Sequence, residues 1–234
     1  SDLVFTEAVR VTADRRPKAL RPLLHPAYAD TLGGGDELVQ QLSAFFDAHP
    51  LERFDAAIAA VQADGASRRR LVLHTVVDGA WGGAPAYRVS GPMRVTLEPW
   101  GGYKLRAGYL TDVRDVARLV QAWSAARRDP SPAKLRPLLH PGYDDDFVTR
   151  DEIAAAWRAY GPVLAEVTMV RLEVRDDLAH LDLHELVGGG AARQPVIHRL
   201  TLRPAAGRWW IASGLRFDEV EAAGRELAPA DEVR

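Results

Sequence analysis

Three polar residues with metal-binding potential stand at alternate positions in the run Ala179-His180-Leu181-Asp182-Leu183-His184. A period of two puts His180, Asp182 and His184 on one face of a strand and the aliphatic residues on the other. Alternate residues on one face are about 7 Å apart, and the two histidines about 13 Å, too far for one tetrahedral zinc centre. This spacing predicts a solvated or interdomain sheet face and no metal site. His198 is different, because it shares the parity of Val196, Leu200 and Leu202 and is expected to point inward with them. An inward imidazole can orient a ligand or move a proton. Alone among aliphatic neighbours it is expected to stay neutral through desolvation, and the sequence nominates no buried carboxylate to join it.

Tyr28 with Asp30, and Tyr143 with Asp145, have the residue types of an acid/base pair. Both pairs follow a short helix, where Asp accepts backbone hydrogen bonds and Tyr packs its ring, so a structural role is expected. His25 and His140 precede prolines at helix ends and read as C-terminal caps that complement the dipole. The chain has neither a Gly-x-Ser-x-Gly nor a His-Glu-x-x-His motif. Gly33-Gly34-Gly35 lacks the lysine and strand context of a phosphate loop. With no cysteine, disulfides, thiolate metal sites and cysteine nucleophiles are excluded. No catalytic residue and no cofactor is assigned.

The charge balance of 30 Lys+Arg against 32 Asp+Glu, with no long run of one sign, argues against nucleic acid as a partner. Arg68-Arg69-Arg70 reads as the solvated start of a strand. No stretch approaches the ~20 apolar residues of a membrane helix, and no leader is recognisable before Asp2. A soluble protein, either cytoplasmic or exported after leader removal, is expected.

These residues are positioned by a repeat. Leu20-Arg21-Pro22-Leu23-Leu24-His25-Pro26 recurs unchanged as Leu135-Arg136-Pro137-Leu138-Leu139-His140-Pro141. Tyr28 and Asp30 match Tyr143 and Asp145, and Asp36-Glu37-Leu38 matches Asp151-Glu152-Ile153. A period above 100 residues indicates duplicated domains rather than a solenoid. Thr111 or Asp112 is expected to cap a helix carrying Val113, Val116, Val120 and Trp123, followed by a short helix over 135–139. Asp151 is expected to cap a third helix with Ile153, Trp157 and Tyr160 on one stripe. Strands are expected at 167–175, 178–187, 195–203 and 208–217, separated by Gly- and Asp-rich turns. The first copy gives the same order, with helices near 3–14, 18–25 and 36–48. Its alanine-rich segment 55–62 is assigned to a strand by analogy with its twin, against helix propensity. The fold class is α+β: a tandem duplication of a cone-shaped domain, three helices packed on a curved, mainly antiparallel sheet, with copies at 1–110 and 111–225 and a tail at 226–234.

A Leu-rich helix, a Tyr-x-Asp turn, the capped helix at Asp151-Glu152-Ile153 and the strand Gly207-Arg208-Trp209-Trp210-Ile211 together resemble the nuclear transport factor 2-like superfamily, which includes SnoaL-like and ketosteroid isomerase-like proteins. The resemblance implies a sheet wrapped around a helix-lined cone whose open end holds a ligand, and dimers formed through outer sheet faces. Candidate cone-lining residues are His198, Trp157, Tyr160 and Trp209 in the second copy, and Met93, Phe45 and Tyr103 in the first. Met93 stands where the second copy has His198. The leading expectation is non-enzymatic binding of a small apolar or amphipathic ligand, or of a protein partner, with a homodimer or interdomain pairing through sheet faces. The alternative is an isomerase, cyclase or dehydratase acting in the second cone. A buried carboxylate or histidine with a second polar group in hydrogen-bond reach would favour the enzyme.

Overall fold

The computed structural model describes residues 2–79, 87–145, 148–157, 166–187 and 194–215. Contacts divide the chain into two units, Ser1–Ala117 with Val170–Asp176, and Arg118–Met169 with Asp177–Arg234. The described residues are α+β with a mainly sheet core.

The first unit opens with α1 (Asp2–Ala13) and a 3-10 turn (Pro17–Leu23), then the two-residue strands β1 (Ala29–Asp30) and β2 (Gly33–Gly34). After α2 (Gly35–Ala48) come β3 (Leu51–Asp64), β4 (Arg68–Gly79), β5 (Tyr87–Pro99) and β6 (Tyr103–Ala107), each antiparallel to the next. The alanine-rich segment is strand, as expected: β4 pairs with β3 from Leu51 to Asp64, and these ladder bonds override the intrinsic preference of alanine for helix. Phe5, Ala8 and Val11 of α1, Leu38, Leu42 and Phe45 of α2, and Leu71, Leu73, Val95 and Leu97 of the sheet are buried, which accounts for the 3.6-residue and 2-residue periods in the sequence. At the start of β4, Arg68 and Arg70 form exposed ion pairs with Glu98 and Asp64.

α3 (Thr111–Arg128) begins in the first unit and continues in the second. The second unit proceeds through α4 (Pro132–Leu135), a 3-10 turn (Arg136–Leu138), β7 (Asp144–Asp145), β8 (Val148–Thr149) and α5 (Arg150–Ala156). β9 (Glu166–Val174) follows, its last residues grouping with the first unit, and then β10 (Ala179–Val187), β11 (Gln194–Ala205) and β12 (Arg208–Ser213) form an antiparallel meander. Its core includes Trp123, Leu135, Ile153, Trp157, Leu181, Leu183, Leu200, Leu202 and Ile211.

The two units share local hydrogen-bonding detail. The amides of His25 and His140 donate to the carbonyls of Leu105 and Ile211, at 2.8 and 2.7 Å. Tyr109 N and Leu215 N donate to the hydroxyls of Tyr28 and Tyr143, both at 3.3 Å.

Two expectations about helix ends are corrected. Thr149, not Asp151, caps α5: its hydroxyl accepts from Glu152 N, and the Glu152 carboxylate accepts from Thr149 N at 2.8 Å. This Thr-x-x-Glu box lies two residues before Asp151, which falls in the first helical turn, where its charge favours the dipole without capping. His25 and His140 do not bond the helix carbonyls. Each accepts at Nδ1 from the amide two residues on, Ala27 or Gly142, at 3.0 Å, which requires an unprotonated Nδ1.

Candidate functional site

Inside the second unit, α3, β10 and β11 bring together one cation, one carboxylate and one imidazole. Arg127 Nε donates to Glu185 Oε1 at 2.6 Å, and Glu185 Oε2 lies 2.7 Å from His198 Nε2. All three residues are buried, with exposures of 3%, 0% and 8%. Trp123 stands edge-on to His198 at 5.5 Å and to Trp157 at 5.1 Å between ring centroids. The Arg127 guanidinium sits 5.3 Å from the Trp157 ring centre, and Trp157 Nε1 donates to Ala126 O. Burial alone pushes the Glu185 carboxyl upward, but its hydrogen bond with His198 and the Arg127 charge outweigh this and hold it below the ordinary carboxylate value. Glu185 is therefore a buried anion with both oxygens engaged. A hydrogen bond from Nε2–H to this anion leaves His198 Nδ1 as the ring's lone-pair atom, the arrangement in which a carboxylate orients a general base.

His198 points inward, as strand parity predicts. It is not alone, and the expectation that no buried carboxylate accompanies it is corrected by Glu185. Glu185 continues the inward parity of Ala179, Leu181 and Leu183, one step past the outward-facing His184. Arg127 likewise continues the stripe of Val120 and Trp123 on α3. Each signal was a charged residue on an apolar face, the pattern that calls for a partner.

Among the remaining candidates, Trp157 belongs to this cluster through Trp123 and Arg127. Trp209 is buried on β12 opposite Pro204, six residues along β11 from His198, which is about 20 Å of strand. Tyr160 lies outside the described residues. In the first unit, Met93 is buried and its sulfur accepts from Leu110 N. Phe45 stacks on His49 at 4.7 Å, and Tyr87 donates to His49 O. Tyr103 is half-buried on β6 opposite Pro99.

Among the described residues, the first unit has no counterpart of the charged cluster. Met93 pairs with Leu73 as His198 pairs with Leu183, and two residues past each leucine stand Thr75 and Glu185. Counting back from the shared seven-residue segment, Thr12 and Ala8 hold the places of Arg127 and Trp123. The buried charges of the first unit lie elsewhere. Asp30 accepts from Tyr28 Oη and from Arg114 Nη1, both at 2.7 Å, and from Leu32 N at 2.9 Å, tying the Tyr-x-Asp turn to the start of α3. Asp145 accepts from Gly214 N at 2.9 Å. These contacts bear out the structural reading of both Tyr-Asp pairs.

His180, Asp182 and His184 are half-buried on the face of β10 opposite Leu181 and Leu183. A small cavity of about 10 Å³ in the first unit, lined in part by Thr75, Gly91, Met93 and Asp112, is the size of one water molecule. No described helix is long and apolar enough to cross a membrane.

No family model matches the chain, and no curated protein matches it. Solved structures similar to part of it include an NTF2-like protein of unknown function in nutrient uptake from Rhodospirillum rubrum, 26% identical over 46% of this chain and 90% of that one, with a TM-score of 0.35. A designed NTF2 protein is 18% identical over 44% of this chain and 96% of its own, with a TM-score of 0.36. A Novosphingobium aromaticivorans protein provisionally assigned as a scytalone dehydratase is 13% identical over 45% and 76%, with a TM-score of 0.37.

Proposed function

We propose that the chain is a tandem pair of NTF2-like cones, with copies at 1–110 and 111–225, and that the second binds a small, largely apolar molecule on which His198 acts as proton acceptor and donor. The repeated segment and the matching bonds of Tyr28 and Tyr143 support the duplication. The observation that carries the function is the 2.7 Å contact between His198 Nε2 and Glu185 Oε2, in a cluster whose positions are Thr12, Thr75 and Met93 in the first unit. Glu185 fixes the ring and stabilises the imidazolium formed when Nδ1 takes a proton; Arg127 keeps Glu185 ionised. The reaction class this suits is isomerisation or dehydration by proton transfer.

Binding without turnover is the second reading. It is favoured by the pairing of Arg127 with Glu185, beside which His198 can serve as a hydrogen-bonding anchor alone. Native mass spectrometry of protein purified without added ligand separates the possibilities. A small molecule retained by the wild type and lost in His198→Met supports the site, and its conversion on incubation with wild type but not variant supports catalysis. Equal retention by both proteins would remove His198 from the reading.

A further inference from the structure

We infer that the free edge of β3 pairs antiparallel with the same edge of a second copy of the chain, Arg53 of each copy facing Asp64 of the other. This contact joins strand edges rather than sheet faces, and it is independent of the small-ligand site.

β3 bonds β4 along one side, and no described strand pairs with its other side. Its outward N–H and C=O groups therefore form an open ladder, which proteins ordinarily guard with charges, proline or a bulge. From Ala56 to Ala63 β3 has no charged residue and no proline, and every residue from Ala57 to Ala63 is exposed. Opposite residues of an antiparallel pair share a face, so Phe54, Ala56, Ile58 and Val61, opposite Val77, Thr75, Leu73 and Leu71, stand on the core face. Phe54 and those four partners are buried, whereas Ile58 and Val61 are 41% and 56% exposed. The core face thus runs out of cover along an uncharged edge, a combination that favours strand addition.

A second copy suits this edge because the edge complements itself. Antiparallel pairing brings the N-terminal end of one β3 to the C-terminal end of the other, and these ends carry Arg53 and Asp64. In a regular strand, residues an odd number apart lie on opposite faces, which would forbid that match. The bulge between Ile58 and Ala60 removes the conflict, since it leaves Arg53 and Asp64, opposite Asp78 and Arg68, on one and the same outer face. Setting Arg53 against Asp64 then places Phe54 against Ala63 and Ala56 against Val61 on the core face, with Asp55 against Gln62 and Ala57 against Ala60 on the other. A shift that sets Asp55 against Asp64 keeps the faces but opposes like charges at both ends. Within its own chain Arg53 bonds Asp55, and Asp64 pairs with Arg70 at 3.3 Å; both pairs are exposed and weak enough to rearrange.

Sedimentation velocity of the full chain at rising concentration tests the pairing. The wild type should form dimers, and Arg53→Asp or Asp64→Arg, each of which sets like charges opposite one another twice, should weaken dimerisation about tenfold. An equimolar mixture of the two variants should restore it, because the mixed dimer has opposite charges at both ends. Val61→Lys, which puts a charge within the uncharged stretch, should also weaken the dimer and keeps the test decisive if a charge variant fails to fold. A wild type that stays monomeric would overturn the inference. So would a dimer of unchanged strength in Arg53→Asp and Val61→Lys, the result expected of pairing through a sheet face, or a mixture that dimerises no better than its components.

Discussion

His198 and Glu185 meet diagonally across the β10–β11 ladder: His198 lies opposite Leu183 and Glu185 opposite Val196, yet Nε2 and Oε2 are 2.7 Å apart. Diagonal neighbours on one face are within reach of long side chains, so an imidazole and a glutamate can bond there where two shorter groups would not. The geometry depends on the strand register. A slip of one residue in either strand would turn its member of the pair to the outer face and place that strand's outer-face residues in the core.

Glu185→Gln should therefore be costly, because it removes the charge that Arg127 faces in the interior. Leaving one member of a buried pair uncompensated costs about 3–5 kcal/mol, and a glutamine that still hydrogen-bonds should bring the loss to the lower end of that range. The double variant Arg127→Met with Glu185→Gln should recover much of it, since no buried charge is left unpaired. Urea unfolding of the wild type and the two variants measures this. A Glu185→Gln cost below about 0.5 kcal/mol would mean that the pair is solvated rather than buried.

The same residue sets an acid limit. The folded protein holds the Glu185 carboxyl below its ordinary value of 4.5, so its contribution is complete above that pH and is lost as the pH falls through the lower folded value. The stability gap between wild type and Glu185→Gln should narrow as the pH is lowered past 4.5, and a constant gap would contradict the assignment.

In the first unit, His49 should act in a higher window. Burial lowers its pKa from 6.5, partly offset by its contact with the Phe45 carbonyl, so the unfolded chain binds the proton more readily. His49 thus costs stability as the pH falls below 6.5. His49→Phe, which retains an aromatic ring against Phe45, should flatten the stability profile in that interval. An unchanged slope would show that another group controls it.

Legibility in the sequence followed periodicity and failed where a charge interrupted it. Leu181, Leu183, Leu200 and Leu202 placed β10 and β11 by alternation alone, and the same alternation turned His198 inward. Glu185 and Arg127 stand on the same apolar faces, but a charged residue there reads as the end of the pattern until its partner is known, and the partner lies 58 positions away. The His25 and His140 contacts were hidden for a different reason. A histidine before proline suggests a helix end, while the amide that bonds it is chosen by the turn that follows.

The cap of α5 gives a paired comparison. Thr149→Ala removes the hydroxyl that accepts from Glu152 N and should cost about 1 kcal/mol. Asp151→Ala removes an exposed ion pair with Arg136 and should cost no more than about 0.5 kcal/mol. Thermal unfolding of both variants decides, and the reverse order would restore Asp151 as the cap.

The tautomer of His198 is the most direct check on the proposed chemistry. Because Glu185 is ionised, it can only accept, and the neutral ring must carry its proton on Nε2. Nδ1 is then the lone-pair atom, which is what a proton acceptor facing a ligand requires. Long-range 1H–15N correlation spectra of the neutral rings should accordingly show His198 as the Nε2–H form, alongside His25 and His140, whose Nδ1 atoms accept backbone amides. Glu185→Gln relaxes the constraint, since an amide side chain can donate or accept, and a population with the proton on Nδ1 should emerge at His198 while the other two histidines stay unchanged. If wild-type His198 carries its proton on Nδ1, the Glu185 contact is not the one that orients the ring, and the proton-transfer role loses its foundation.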